Sequence, residues 1–440
     1  MTDTAHPSAS PSSIPDPSAP PPAPHGTLTL LQGTAMYVGA VLGTGVIALP
    51  ALAAKVAGPA SLLAWAALVL LSAPLAGVFA ALGARYPDAG GISYYARLAF
   101  GPRAAATAGW CFFFAIPPGS AAAGLFCGSY VASAVGGGRA TELATAAGLL
   151  AVTGLANRYG VRLSGRLQLG LSGVLVALLL VAMACSLPHA SLARLHPFAP
   201  HGWSAIGPAA SLLVWSFAGW EAITHLAGEF RSPRRDLPRA TGLAVLIVGA
   251  LYLALAFAVI VVLGPAAADS AAPLGDLMAG GLGGSARLMA AGAAVLLTLG
   301  TMNAYWAGAA KLGAALGRDG QLPAALGRGS TVGEVPRRSL ATLITMAALA
   351  LGVVALTGVG PAPLVQLTCG SFVTVYALGT SAALRLLPRW SAGWLAALVA
   401  LVAVAALLVM SGRYLLWPLL VGAGSLLYLR YRSTRDGGRS

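Results

Sequence analysis

The chain has 440 residues, of which 9% are Asp, Glu, Lys or Arg and 58% are hydrophobic, against about 25% charged in a typical soluble domain. That composition excludes an ordinary soluble enzyme and a disordered regulator. A formal charge of +14 does not make it a nucleic-acid-binding protein, because the basic residues sit in short breaks between apolar runs and not in a patch. Residues 1–27 form a Pro/Ser/Ala-rich tail with no apolar period, expected to be disordered and cytoplasmic. It lacks Lys, Arg and a compact apolar stretch, so it does not read as a signal peptide.

From Leu28 onward long apolar stretches alternate with short polar breaks. A bilayer core about 30 Å thick takes roughly 20 apolar residues as a helix. Twelve spans are predicted, at about 30–56, 60–84, 104–135, 140–157, 164–187, 203–228, 239–264, 285–315, 338–358, 361–386, 392–411 and 413–430. With the amino terminus inside, 21 of the 26 Lys and Arg fall on inner connections and the carboxyl tail. The outer side keeps Lys55, Arg139, Arg194, Arg287 and Arg413. This bias fits the positive-inside rule with both termini cytoplasmic. Cys111, Cys127, Cys185 and Cys369 lie in apolar runs with no CxxC pair or Cys/His cluster. They read as reduced thiols, with no disulfide framework and no metal site. No cofactor is expected.

Two spans carry breaks. In the first, Gly43-Thr44-Gly45 lies at mid-membrane. Gly frees the backbone and permits close approach, and an unwound turn is tolerable in lipid only where it lines a cavity. The amides of Thr44 and Gly45 would then open a half-helix whose positive end attracts a carboxylate. Close helix packing through small residues is the other reading. The sixth span holds Trp215-Ser216-Phe217-Ala218-Gly219-Trp220-Glu221. Glu221 alone among the acids lies deep in an apolar run, and a carboxylate there normally faces a cavity or a partner. It reads as a proton-coupling site, as a neutral hydrogen-bond hub, or as a structural helix-to-helix bond. Breaks in the first and sixth spans point to a five-plus-five inverted repeat with substrate between the broken helices.

Other features are weaker. Pro117-Pro118-Gly119 is expected to kink or break the third span. Met302 and Asn303 lie in mid-eighth span, and Asn303 reads either as a ligand contact or as a helix-to-helix bond. His225 follows Glu221 by one turn, and Ser371 and Thr374 read as packing hydroxyls. Trp203, Trp390 and Trp417 read as interface anchors.

Several strings resemble the amino acid–polyamine–organocation superfamily of secondary transporters. Gly43-Thr44-Gly45-Val46 followed by Pro50 resembles its first-helix motif. Arg85-Tyr86-Pro87-Asp88-Ala89-Gly90-Gly91 resembles the signature after its second helix. Phe217 to Glu221, continuing through Glu229-Phe230-Arg231-Ser232-Pro233 to Ala240, resembles its sixth helix and following loop. Lys311 through Arg318-Asp319-Gly320-Gln321-Leu322-Pro323 resembles the loop after its eighth helix. Pro50 to Ala54, and Gly219 to Ala222 with His225-Leu226-Ala227, are most similar to the bacterial L-methionine and branched-chain amino acid exporters.

The resemblance implies an all-α membrane protein with a ten-helix core over 28–386, two peripheral helices over 387–430 and a basic tail over 431–440. It implies a small-molecule amino acid substrate, with its carboxylate at the amides of Thr44 and Gly45 and its amino group at the carbonyls of Val41, Trp215 and Ala218. Phe217 and Gly219 belong to the same stretch. Trp215-Ser216-Phe217 also resembles the arginine/agmatine antiporter branch, which implies that Trp215 stacks on substrate and that Glu221 is the pH-sensitive position. Met302 stands where that branch has a substrate-facing Trp, which implies an apolar side chain in place of a guanidinium. Leu171-Ser172-Gly173-Val174-Leu175-Val176 holds no Lys, where some relatives carry one in place of a sodium ion. The expected function is export of neutral apolar amino acids, such as methionine, leucine, isoleucine and valine, across a bacterial inner membrane, possible proton coupling included. Uptake or exchange of amino acids or polyamines by the same fold is the alternative. An enzyme would need paired carboxylates, a His cluster or a nucleophile–base pair, and one lone Glu is too little.

Overall fold

The structure is a computed structural model that describes residues 28–86, 90–159, 165–221, 230–270, 272–282, 285–329 and 335–437. The expectations for the tail over 1–27, for Pro87-Asp88-Ala89, and for Ala222 to Glu229, His225 included, lie outside the described residues.

Among the described residues the regular structure is helical, in fifteen α-helices joined by short 3-10 turns. They are α1 (Leu30–Leu42), α2 (Gly45–Ala57), α3 (Ser61–Arg85), α4 (Gly91–Phe100), α5 (Pro102–Val135), α6 (Arg139–Arg158), α7 (Gly165–Ser186) and α8 (Ile206–Leu213). Then follow α9 (Pro233–Leu263), α10 (Pro273–Leu282), α11 (Ser285–Arg318), α12 (Arg337–Thr357), α13 (Ala362–Leu386), α14 (Ala392–Met410) and α15 (Leu416–Gly437). Local sequence sets several ends. Thr29 and Gln32 form a capping box at the start of α1, satisfying amides that the helix leaves free. Pro102 opens α5 and left-handed Gly136 closes it, the usual placement of the two residues. Ser391 caps α14 through the amide of Trp394 at 3.2 Å.

The centre of the molecule is α5, which packs against α6, α11, α13 and α15. Of its most apolar 18 residues 94% are buried, against 22% in α14, so α5 is an inner helix and α14 presents its apolar surface outward. Around α5, α1 packs on α7 and α9, and α3 packs on α8, α9 and α14. The carboxyl-terminal α15 leans on α5, where Thr107 and Ser425 share a hydroxyl–hydroxyl bond of 3.3 Å and Trp110 lies 5.9 Å from Tyr428. It remains helical to Gly437, so the basic segment expected from 431 begins as helix.

Eight stretches among the described residues are long and apolar enough to cross a membrane. The difference from the twelve expected spans has physical causes. A single 3-10 turn joins the first two spans into one stretch, Leu30–Arg85. The fourth carries Arg139, Glu142 and Arg158, the last ends in a run of Arg, and the sixth loses its helix after Leu213. The third span is a correction to the expected break: α5 runs uninterrupted through Pro117 and Pro118. Proline removes two backbone donors there, and a helix of 34 residues buried on its neighbours outweighs that loss. The four cysteines are free; Cys111, Cys127 and Cys369 are buried and Cys185 is half-buried. Among the described residues no group of three His, Cys, Asp or Glu is placed to hold a metal.

Candidate functional site

Two helices are interrupted where they meet. The first helix stops at Leu42, Gly43 takes φ +31, and α2 starts at Gly45. A positive φ is costly for any residue with a Cβ, so Gly43 makes the turn possible. On the other side α8 ends at Leu213, a 3-10 turn spans Val214–Phe217, Ala218 is extended and Gly219 takes φ +124. The two breaks press together through glycine. A Cβ on Gly45 would lie 2.6 Å from Ser216 Oγ, and one on Gly219 would lie 3.0 Å from the Ala40 backbone.

Side chains then tie the breaks. The Trp215 indole N–H donates to Thr44 Oγ1 at 3.3 Å. Tyr252 of α9, fully buried against Trp65, places its hydroxyl 2.7 Å from the Val41 carbonyl and 2.8 Å from the Ser216 carbonyl. One hydroxyl proton is thus shared between the two broken helices. Tyr130 of α5 donates to the Ile47 carbonyl at 2.6 Å and accepts from the Leu274 amide at 3.1 Å, linking α2 to α10.

Between the breaks lies a cavity of about 500 Å³, counting the space that opens to solvent. Of the residues expected to bind substrate, Val41, Gly43, Thr44, Gly45, Trp215, Ala218 and Met302 line it. Its ends differ electrically. The amide end of the 13-residue α2 is partially positive, and the carbonyl end of α1 at Val41 is partially negative. The wall opposite is mostly apolar, with Ile116 and Gly119 of α5, Met302 of α11 and Phe372 of α13. Gly119 matters because a Cβ there would sit 3.3 Å from the Trp215 ring. Ser120, Thr301, Tyr305 and Thr368 supply hydroxyls around the rim. Two of these are already engaged: Ser120 accepts from the Trp306 indole at 2.5 Å, and Thr368 donates to the Leu364 carbonyl at 2.9 Å.

Three expected residues stand apart from the cavity lining. Asn303 accepts at 2.8 Å from Asn157 of α6, the helix-to-helix role. Gly219 packs behind the cavity on the backbone of Ala40 and Val41. Phe217 belongs to the 3-10 turn, and its side chain lies outside the described residues. Glu221 has no exposed surface. Its carboxylate accepts from the Gly219 amide at 3.0 and 3.2 Å, from the Tyr376 hydroxyl at 2.7 Å and from the Tyr305 hydroxyl at 3.5 Å. In α7, Ser172 donates to the Ala35 carbonyl at 3.0 Å, so a neutral hydroxyl joins α7 to α1 there. Ser371 and Thr374 bond carbonyls of their own helix. Of the Trp residues expected as interface anchors, Trp203 and Trp390 are exposed and Trp417 is half-buried against the core.

Tyr130, Tyr252, Tyr305 and Tyr376 carry much of this architecture and were not singled out from the sequence. Each is a phenol in the middle of an apolar helix, and that signal, a hydroxyl needing a partner, was available.

The sequence profile of the amino acid permease family matches residues 28–438. The chain is 35% identical over 405 residues to YecA of Bacillus subtilis, an uncharacterized amino acid permease, covering 92% of this chain and 95% of that one. It is 38% identical over 229 residues to YjeH of Escherichia coli, an L-methionine/branched-chain amino acid exporter, covering 51% and 54%. It is 35% identical over 301 residues to Rv1999c of Mycobacterium tuberculosis, an uncharacterized transporter, covering 67% of each chain.

Proposed function

From the premise that this chain belongs to the amino acid permease family, within the amino acid–polyamine–organocation superfamily, we propose that it is a secondary transporter that exports neutral, apolar amino acids across a bacterial inner membrane. The observation that carries this reading is the cavity between the two breaks, electrically polar at its ends and apolar along its wall. A zwitterion fits such a site without fixed counter-charges. The substrate carboxylate lies at the amides of Thr44 and Gly45, and its ammonium at the carbonyls of Val41, Trp215 and Ala218. The side chain packs on Ile116, Met302 and Phe372, a surface suited to methionine, leucine, isoleucine or valine. YjeH, an L-methionine/branched-chain amino acid exporter over the half that aligns, supports the same substrate class and the outward direction.

The chain crosses the bilayer twelve times with both termini inside, as a five-plus-five inverted repeat plus two outer helices. Glu221 takes up and releases the coupled proton, and rocking of the broken helices against the rest alternates access. Counterflow in proteoliposomes loaded with L-methionine or L-leucine tests this. Saturable exchange competed by neutral apolar amino acids, and not by arginine, is expected; absence of saturable flux of any neutral amino acid overturns the reading. Direction is read in cells: expression should raise resistance to methionine analogues, and sensitisation instead identifies an uptake permease of the same fold.

A further inference from the structure

Glu221 and the substrate cavity meet at one peptide group. The bond between Ala218 and Gly219 carries the Ala218 carbonyl and the Gly219 amide, and a planar trans peptide points the two in opposite directions. The Gly219 N–H donates to both carboxylate oxygens of Glu221, at 3.0 and 3.2 Å. Ala218 lines the substrate cavity, and its carbonyl is one of the three assigned above to the substrate ammonium. The carboxylate thus holds one end of the group whose other end is assigned to the substrate. The backbone makes this possible. Ala218 is extended, at φ −70 and ψ 141, and Gly219 takes φ +124, which a residue with a Cβ rarely adopts. The Gly219 amide is thereby turned out of the helical ladder and onto a side chain two positions ahead.

The three carbonyls differ in what holds them. Val41 accepts from the neutral Tyr252 hydroxyl at 2.7 Å, and Trp215 accepts from the Ala218 amide at 3.3 Å. The Ala218 carbonyl belongs to a peptide whose amide is held by an ionisable group. Hydrogen bonds in series polarise one another, and a bond to an ionised acceptor is roughly twice as strong as a neutral one. An ionised Glu221 draws on the N–H, makes the Ala218 oxygen more negative and fixes the peptide plane, all of which favour a cation at the carbonyl. A protonated Glu221 gives up the charge and most of that pull. From the elements packed around Glu221, the titratable groups that face it are the phenols of Tyr37 in α1, Tyr305 in α11 and Tyr376 in α13. Beside it α4 and α5 place Ser93, Ala108 and Phe112, which carry no charge.

We propose that the Ala218–Gly219 peptide makes proton and amino acid competitors: Glu221 binds its proton in exchange for the substrate ammonium, and transport is an antiport of the two. With the site open to the outside, a hydronium gives its proton to a carboxylate oxygen and becomes water, and the amino acid leaves. With the site open to the inside, that proton returns to water and the restored carboxylate favours the next amino acid. An inward proton gradient then drives amino acid outward, the direction of the proposed export. Tyr305 lines the substrate cavity and donates to Oε1 at 3.5 Å, so one side chain separates the carboxylate from the cavity that the substrate uses. The inference rests on the transporter reading and names the group that couples its two cargoes.

The test uses the full chain in detergent with L-methionine as probe, titrated in weak buffer with a pH indicator. Wild-type affinity should fall about tenfold between about pH 8 and about pH 5, a usual size for coupling between two sites. Linkage then requires methionine to expel protons as it binds. Constant affinity with no proton release overturns the proposal, and this measurement needs no variant. Glu221→Gln, neutral at every pH, should bind methionine at the low-pH affinity of wild type and release no proton; the high-pH affinity in that variant overturns it. Replacing Gly219 by glycolic acid through nonsense suppression exchanges its N–H for an ester oxygen and keeps the Ala218 carbonyl. Methionine should still bind, with a flat pH profile; unreduced pH dependence in the ester overturns the peptide as the link. Wild type that exchanges methionine in proteoliposomes without any proton linkage removes the coupling and leaves the permease standing. Wild type with neither binding nor exchange removes both.

Discussion

Tyr252 holds a single hydroxyl proton between the carbonyl oxygens of Val41 and Ser216, at 2.7 and 2.8 Å. Neither half of the site sets its own position; the phenol sets their spacing. Tyr252→Phe keeps the ring on Trp65 and removes only that bond. The expected cost is about 1 kcal/mol of stability, read as a modest fall in thermal unfolding temperature in detergent. The apparent affinity for methionine should fall roughly five- to tenfold by the same arithmetic, read by counterflow. Gly45 is a sharper case. A Cβ there meets Ser216 Oγ at 2.6 Å and Ser216 Cα at 3.0 Å, so Gly45→Ala should separate the breaks and abolish exchange. Gly77→Ala on α3, where a Cβ meets nothing within 4 Å, should leave exchange unchanged. For Glu221, the Gln variant keeps an acceptor for Tyr376 and loses the titration, so transport should persist with a flat pH profile. Full pH dependence in that variant would remove Glu221 from coupling.

At the scale of elements, what was visible in the sequence and what was not divide along a physical line. The two breaks were visible because each is a local anomaly: glycines around Thr44, and a carboxylate at Glu221 in an apolar run. The bonds that hold them were not, because Tyr252 reaches a carbonyl 211 positions away and no spacing rule connects such partners. Pro117 and Pro118 went the other way: the local rule allowed a kink or a break, and the packing of α5 on six helices overrides the break. Asn303 shows a third case. A polar side chain in mid-span has two ways to be satisfied, and only its helical face, turned toward Asn157, decides between them. The linkage of α10 belongs here too. Tyr130 joins the Leu274 amide to the Ile47 carbonyl, so one phenol bridges α10 and α2. Tyr130→Phe removes both bonds; losing the Leu274 bond, worth about 1 kcal/mol, should raise the population of a detached α10 about fivefold. A cysteine placed on α10 should be alkylated faster by that factor, and an unchanged rate would show that α10 is held by packing alone.

For the whole molecule, charge placement and buried surface are the two organising facts. The low charged fraction, 9%, fits helices that are apolar all round, as lipid requires, and in the proposed twelve-span topology the excess of Lys and Arg over Asp and Glu labels one face of the membrane. Ser191, between α7 and α8, and Ser232, before α9, fall on opposite faces in that topology. A cysteine at 191 should be labelled only from outside and one at 232 only from inside. Both on one face would contradict an even alternation of spans. Cys111, Cys127 and Cys369 are buried, and replacing the half-buried Cys185 by Ala gives the background for such labelling.

The groups assigned to the ends of the substrate are main-chain groups: amides that open α2, and carbonyls at the end of α1 and in and just after the 3-10 turn Val214–Phe217. Apart from a proline, which would remove an amide hydrogen, a side-chain substitution leaves these groups in the chain. In the proposed reading, the chemistry common to all α-amino acids is held by backbone atoms, while the part that tells one amino acid from another meets replaceable side chains of α5, α11 and α13. On that reading, substitutions in those walls would change which amino acid is held while leaving in place the groups that hold its two ends.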